Sequence, residues 1–273
     1  MQRSLYAIGA VAVLGAASIA APANAAEETA PAALSVLHAV PDLTVDVYVN
    51  GDLTLDDFTP GTLAGPLELP AGDYELAVTA ADAADASAPL LGPVNVTLAA
   101  GGNYTATANL DAEGNPAANF YTNDTSAVAA GEARVTVRHT AAAPAVDVLA
   151  GGSPIVENLS NPAEASLTTA AGTVSAAVAA TGTTEPVIGP ADLTLGEGTN
   201  TIVYAWGSLE AGNLQLATQV IEGLHSTPGS VPGGQSGLAA SEDNGAATLG
   251  LGALLMLALG GVVAATRRRT SKV

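Results

Sequence analysis

The chain contains no cysteine, so neither a disulfide bond nor a thiolate-held metal can support its fold. Positive charge is nearly as scarce. Lys and Arg occur seven times, at Arg3, Arg134, Arg138, Arg267, Arg268, Arg269 and Lys272, against 26 acidic residues that all lie between Glu27 and Asp243. Only two Arg oppose the acidic residues within that stretch, and its field repels nucleic acid and anionic lipid headgroups alike. Nucleic-acid binding is excluded. Aromatic residues make up 3% of the sequence, so any packed interior has to rest on Val, Leu and Ala. Signatures of catalysis are missing too: there is no Gly-x-Ser-x-Gly, no His-Glu-x-x-His and no phosphate-cradling Gly loop.

The two ends speak to location. Arg3 precedes an apolar run from Leu5 to Ala21, and Ala23-Asn24-Ala25 then supplies the small-x-small pattern of a signal-peptide cleavage site. Residues 1–25 are expected to be a signal peptide cut after Ala25. At the far end, residues 246–266 form a charge-free apolar segment that reaches about 30 Å as a helix, one bilayer core. Arg267-Arg268-Arg269 opens a basic tail, 267–273, that the positive-inside rule keeps in the cytoplasm, leaving the acidic region outside. Residues 225–245, rich in Gly, Pro and Ser and then acidic, read as a flexible stalk. The arrangement resembles a bacterial surface-protein sorting signal, but the Leu-Pro-x-Thr-Gly pentapeptide read by sortase is missing. Leu238-Ala239-Ala240-Ser241-Glu242 departs from its variant at the positions the enzyme would read. A retained single-pass membrane anchor is therefore expected in preference to wall linkage.

Between the ends, one stretch is written twice. Val36-Leu37-His38-Ala39-Val40-Pro41-Asp42 leads into Val45-Asp46-Val47-Tyr48-Val49-Asn50-Gly51, and Val137-Arg138-His139 leads into Val146-Asp147-Val148-Leu149-Ala150-Gly151. The offset is 101 residues at the His and 101 again at the Val-Asp-Val triplet. Such a repeat implies one domain duplicated, with copies over 26–130 and 131–224. Val45, Val47 and Val49 alternate with Asp46, Tyr48 and Asn50, the period of a half-buried strand, and Asn50-Gly51 is a turn. Pro70-Ala71-Gly72-Asp73 and Ala99-Ala100-Gly101-Gly102 each stand between strand-like runs and are expected to close hairpins. Pro89-Leu90-Leu91-Gly92-Pro93 returns as Pro186-Val187-Ile188-Gly189-Pro190. About seven short strands per copy, with no helical period, predict two tandem antiparallel, immunoglobulin-like β-sandwiches standing end to end.

The opening motif resembles the bacterial family called domain of unknown function 4397, whose tandem copies begin near Val-x-His-Ala-Ser-Pro-Asp-Ala-Pro-x-Val-Asp-Val-Tyr-x-Asp-Gly. The first copy keeps His38, Ala39, Pro41, Asp42, Val45, Asp46, Val47, Tyr48 and Gly51; the second keeps His139, Pro144, Val146, Asp147, Val148 and Gly151, with Ala141, Ala142 and Ala143 in place of Ser-Pro-Asp. The resemblance implies a secreted or surface-displayed all-β protein and carries no activity, cofactor or ligand with it.

His38 with Asp46, and His139 with Asp147, invite a catalytic dyad. Strand parity instead places each His at the end of an inward-facing row and each Asp on the opposite side, so the four are expected to be a repeated structural motif, not catalytic groups. Asp111-Ala112-Glu113-Gly114-Asn115 alternates oxygen ligands, and Asp52, Asp56, Asp57, Asp82 and Asp85 crowd in sequence. The spacing at Asp111 is too short for an EF-hand loop, and a polar hairpin turn accounts for it. Tyr48, Tyr74, Tyr104, Tyr121, Tyr204 and Trp206 fall on expected strands, where exposed rings would make a glycan platform and rim hydroxyls would not. The expectation is a non-enzymatic, cofactor-free, membrane-anchored surface protein with an adhesive, envelope-structural or presenting role. The alternative is an extracellular module binding Ca²⁺ or a glycan. An extracellular protein partner fits either, and the residues fix no oligomeric state.

Overall fold

A computed structural model describes residues 30–226, and all of it is strand and turn. The signal peptide expected over 1–25, the stalk from residue 227 onward, the span at 246–266 and the tail at 267–273 lie outside the described residues. Among the described residues no helix is long and apolar enough to cross a membrane.

Eight strands build the first unit: β1 (Ala32–Ala39), β2 (Val45–Val49), β3 (Asp52–Phe58), β4 (Leu63–Leu69), β5 (Gly72–Ala80), β6 (Leu91–Leu98), β7 (Asn103–Leu110) and β8 (Pro116–Thr122). Eight more build the second: β9 (Glu132–Ala142), β10 (Val146–Ala150), β11 (Ser153–Leu159), β12 (Glu164–Ala170), β13 (Gly172–Ala180), β14 (Pro186–Leu195), β15 (Asn200–Ser208) and β16 (Gln215–Ile221). The first unit pairs its strands as β4-β1-β7-β8 and β3-β2-β5-β6; the second pairs them as β12-β9-β15-β16 and β11-β10-β13-β14. Each order in the second unit is the first advanced by eight strands.

Four expectations change. The sandwiches are not wholly antiparallel, because β1 runs parallel to β7 and β9 parallel to β15. These pairs sit at the centre of their sheets, buried on both faces, which is where parallel pairing is ordinarily found. Pro70–Asp73 and Ala99–Gly102 close no hairpins, since β4 and β5, and likewise β6 and β7, belong to opposite sheets. Pro and Gly mark a chain reversal in either case; whether the chain returns to the same sheet or crosses to the facing one depends on where the strands find partners. Asn50-Gly51 does close a hairpin, with both residues at positive φ (52° and 82°) and Val49 opposite Asp52. Each unit also has eight strands where about seven were expected.

The fourth change concerns the relation between the units. One core lies between the sheets of the first sandwich (Leu34, Val36, Val45, Val47, Leu98) and another between those of the second (Val135, Val137, Val146, Val148, Leu195). The alternate residues of the two parallel pairs meet in a third buried layer. Leu37 and Ala39 of β1 pack there with Ile202, Tyr204 and Trp206 of β15. The sandwiches are therefore packed sheet against sheet, not end to end.

Candidate functional site

The repeated His and Asp are spent on the main chain. His38 is fully buried; its Nε2 donates to the carbonyl of Leu43 (2.6 Å) and its Nδ1 accepts from the backbone N–H of Val40 (3.4 Å). His139 repeats this with Pro144 (3.0 Å) and Ala141 (3.3 Å). Such a ring is neutral, carries its proton on Nε2, and fastens the strand exit to the loop that follows. Desolvation lowers the pKa of both rings below 6.5, against a smaller opposing effect of the carbonyl each one bonds. The Asp side chains point away from that core and are covered by their own loops. Asp46 Oδ1 accepts from the N–H of Asp57, and Asp147 Oδ1 from the N–H of Asn158. Both donors are non-glycine residues held at positive φ (50° and 56°), a conformation the carboxylate contact supports. Asp147 Oδ2 also accepts from Gly182, and these two backbone bonds hold its pKa below the usual value. With both nitrogens of each ring occupied in this way, neither imidazole has a free base to offer a substrate.

Acidic residues gather at one place. One ligand oxygen from each of Asp46, Asp56 and Asp57 lies within 4.8 Å of the others, with Asp46 buried and the other two exposed. Asp52, Asp82 and Asp85 are not part of this group. The second copy carries Asp147, Glu157 and Asn158 at the matched positions. Asp111 closes the β7–β8 turn, accepting from the N–H groups of Glu113 and Asn115 and from the Asn115 amide. Among the described residues the aromatic side chains form no exposed platform: Tyr48, Tyr104, Tyr121, Tyr204 and Trp206 are buried, and half-buried Tyr74 donates to the carbonyl of Pro70.

Two features escape the sequence reading. The first is a polar cluster in the layer between the sandwiches, centred on Arg138, which is 1% exposed. Its guanidinium donates to Glu164 (2.7 Å), the Tyr204 hydroxyl (2.8 Å) and Asn123 (2.9 Å), and lies 4.1 Å from the Tyr121 ring centroid. Tyr204 donates to Gln219, whose amide donates to Ser35; Thr105 and Asn123 complete the set. Residues of both sandwiches alternate through this network, so neither can satisfy it alone. Burial pushes the hydroxyl pKa of Tyr121 and Tyr204 upward, which keeps both neutral donors. A readable signal existed: Leu34 to Ala39 and Thr201 to Trp206 are apolar at both parities, the mark of a strand covered on two sides.

The second feature is a cavity of about 630 Å³ between the sheets of the second sandwich, walled chiefly by Val, Leu, Ile and Ala. The core of the first sandwich contains a void of about 50 Å³.

Comparison with known families returns to the first copy. Residues 32–149 match the family described as domain of unknown function (DUF4397). The resemblance carried by the opening motif holds over that stretch. It takes in all eight strands of the first sandwich and runs into β10, so the second His and Asp fall inside the matched span. None of the curated proteins compared matches the chain.

Proposed function

We propose that the protein is a non-enzymatic module displayed at a bacterial cell surface. In this reading the leader is cleaved after Ala25, the segment at 246–266 spans the membrane, and the two sandwiches stand outside on the stalk in an adhesive, envelope-structural or presenting role. The observation that carries the non-enzymatic part is the repeated use of His38, Asp46, His139 and Asp147 as main-chain clamps. The acidic surface supports a soluble, non-sticking exterior. Cell fractionation tests the anchoring: detergent releases the protein, and a wall-digesting enzyme alone does not. Release by the wall-digesting enzyme alone would overturn it.

A second reading, Ca²⁺ binding, is favoured by the Asp46, Asp56 and Asp57 group, whose three carboxylates repel one another without a cation. A melt with and without millimolar Ca²⁺ separates the two readings. A rise of several degrees that Asp56→Asn removes supports binding, and an unchanged melt removes it.

A further inference from the structure

We propose that the second sandwich binds an uncharged aliphatic molecule, of the class of a long-chain alcohol or a neutral acyl ester, between its two sheets. The inference is independent of how the protein is anchored. A cavity of about 630 Å³ is of the size that holds a small-molecule ligand, whereas the void in the core of the first sandwich, with the same strand order, is about 50 Å³.

Register identifies the cause. Tyr104 of β7 lies beside Leu34 of β1, and its counterpart beside Val135 of β9 is Thr201. Phe120, opposite Ala106, is matched by Thr218 opposite Val203. Tyr74 and Leu76, opposite Val96 and Val94, are matched by Val174 and Ala176, opposite Leu193 and Ala191. At each of these four places a large side chain in the first core is a small one in the second. The Thr201 hydroxyl is buried with no hydrogen-bond partner, on the face of β15 that also carries the cavity-lining Val203. The edge has opened as well. Strands β6 and β8 pack against each other in the first sandwich, and β14 and β16 make no comparable contact. Leu216 and Val220, on the core-facing side of β16, are consequently 37% and 51% exposed, which puts an entrance between β14 and β16.

The lining selects the chemistry. It carries no aromatic ring, which suits a flexible aliphatic chain better than a planar one, and no Lys or Arg. The two Arg of the described residues lie in the layer between the sandwiches, and the one acid along the lining, Asp192, sits opposite Ser175 on the outer face of β14. A carboxylate or phosphate headgroup would be buried there with no compensating cation, and a hydroxyl or ester would carry no such cost. Thr169 and Thr218 offer hydroxyls for one polar group of the ligand.

Photolabelling of the full chain tests this. A hexadecanol analogue with a mid-chain diazirine is photolysed with the protein, and the labelled peptides are mapped by mass spectrometry. Label is expected in the strands of the second sandwich, suppressed by excess 1-hexadecanol, and about tenfold weaker with the corresponding fatty-acid analogue. The substitutions Val174→Tyr and Thr218→Phe, which import the first core's residues, should remove the label while the melting temperature holds or rises. Ala176→Leu is the milder variant, expected to weaken labelling should the double variant not fold. Equal labelling of the two sandwiches, label confined to residues 246–265, or undiminished label in a folded filled variant would overturn the proposal. Equal labelling by alcohol and acid would overturn its requirement for a neutral ligand.

Discussion

Asn50-Gly51 and Gly151-Gly152 close the same hairpin in the two sandwiches, and Asp46 and Asp147 hold the same left-handed residue eleven positions on. His38 and His139 pin the same loop. The cores these clamps surround are unlike: Tyr104 stacks on Phe120 at 5.2 Å in one, and Thr201 and Thr218 stand in their places in the other. The comparison separates two jobs that a sequence performs together. Strand order follows from turns and main-chain clamps, where the copies exchange only residues that reach the same backbone conformation, and core volume follows from side chains that can shrink while the frame persists. The faces turned toward the other sandwich diverge too. Leu37 and Thr107 in the first copy stand where Arg138 and Tyr204 stand in the second, so the joint between them is built from unlike halves.

The strongest way to break the contrast is to give the first core the second core's residues. Tyr104→Thr with Phe120→Thr removes both stacked rings, and large-to-small changes of this kind cost about 3–5 kcal/mol each when the site cannot collapse. Urea unfolding is expected to show the first sandwich failing well before the second. A loss below about 1 kcal/mol would mean that the first frame can also stand around an open core. The joint comes next. Arg138→Ala leaves Glu164, Asn123 and Tyr204 without their common donor, and breaking such a buried cluster costs about 3–5 kcal/mol. Arg138→Met keeps the volume and lets Glu164, 39% exposed, turn to water, so it should cost clearly less. Equal losses would show that hydrogen bonding, not volume, holds the joint.

Much of this frame was legible in the residues, for local reasons. The period of two at Val45–Val49, the turn at Asn50-Gly51 and the repeated His and Asp are each read within a few residues. The destination of a reversal was not: Pro70–Asp73 looks like a hairpin because nothing in four residues says which sheet receives the next strand. The face-packed joint was legible from strands apolar at both parities, and Arg138 from being one of two Arg among so many acids. The cavity needed the copies laid side by side, since Thr201 and Val174 are unremarked in themselves and informative only against Tyr104 and Tyr74.

A smaller effect distinguishes the two Asp clamps. Asp147 holds two backbone N–H groups, those of Asn158 and Gly182, and Asp46 holds that of Asp57. Asp147→Ala should therefore lower the melting temperature more than Asp46→Ala. The reverse order would mean that the three clustered carboxylates of the first copy contribute more than the second copy's extra bond.

The smallest expected effect is on pH dependence, and here the two copies should agree. Both rings have a folded pKa below 6.5, so below that pH the unfolded chain binds protons more readily than the fold does. The contribution of each ring is complete above about 6.5 and is lost as pH falls through its depressed folded value. The lowered carboxyl groups of Asp111, Asp124 and Asp147 follow the same sign in a lower window, below 3.8, which keeps the two effects apart. Melting temperature measured from pH 7 to pH 5 should fall for the parent protein. His38→Gln and His139→Gln will each lower it overall, so the slope is the informative quantity: each variant should flatten it by a similar amount, and the double variant should flatten it most. A slope carried by one ring alone would show that the matched burial of the two histidines conceals unequal access to protons.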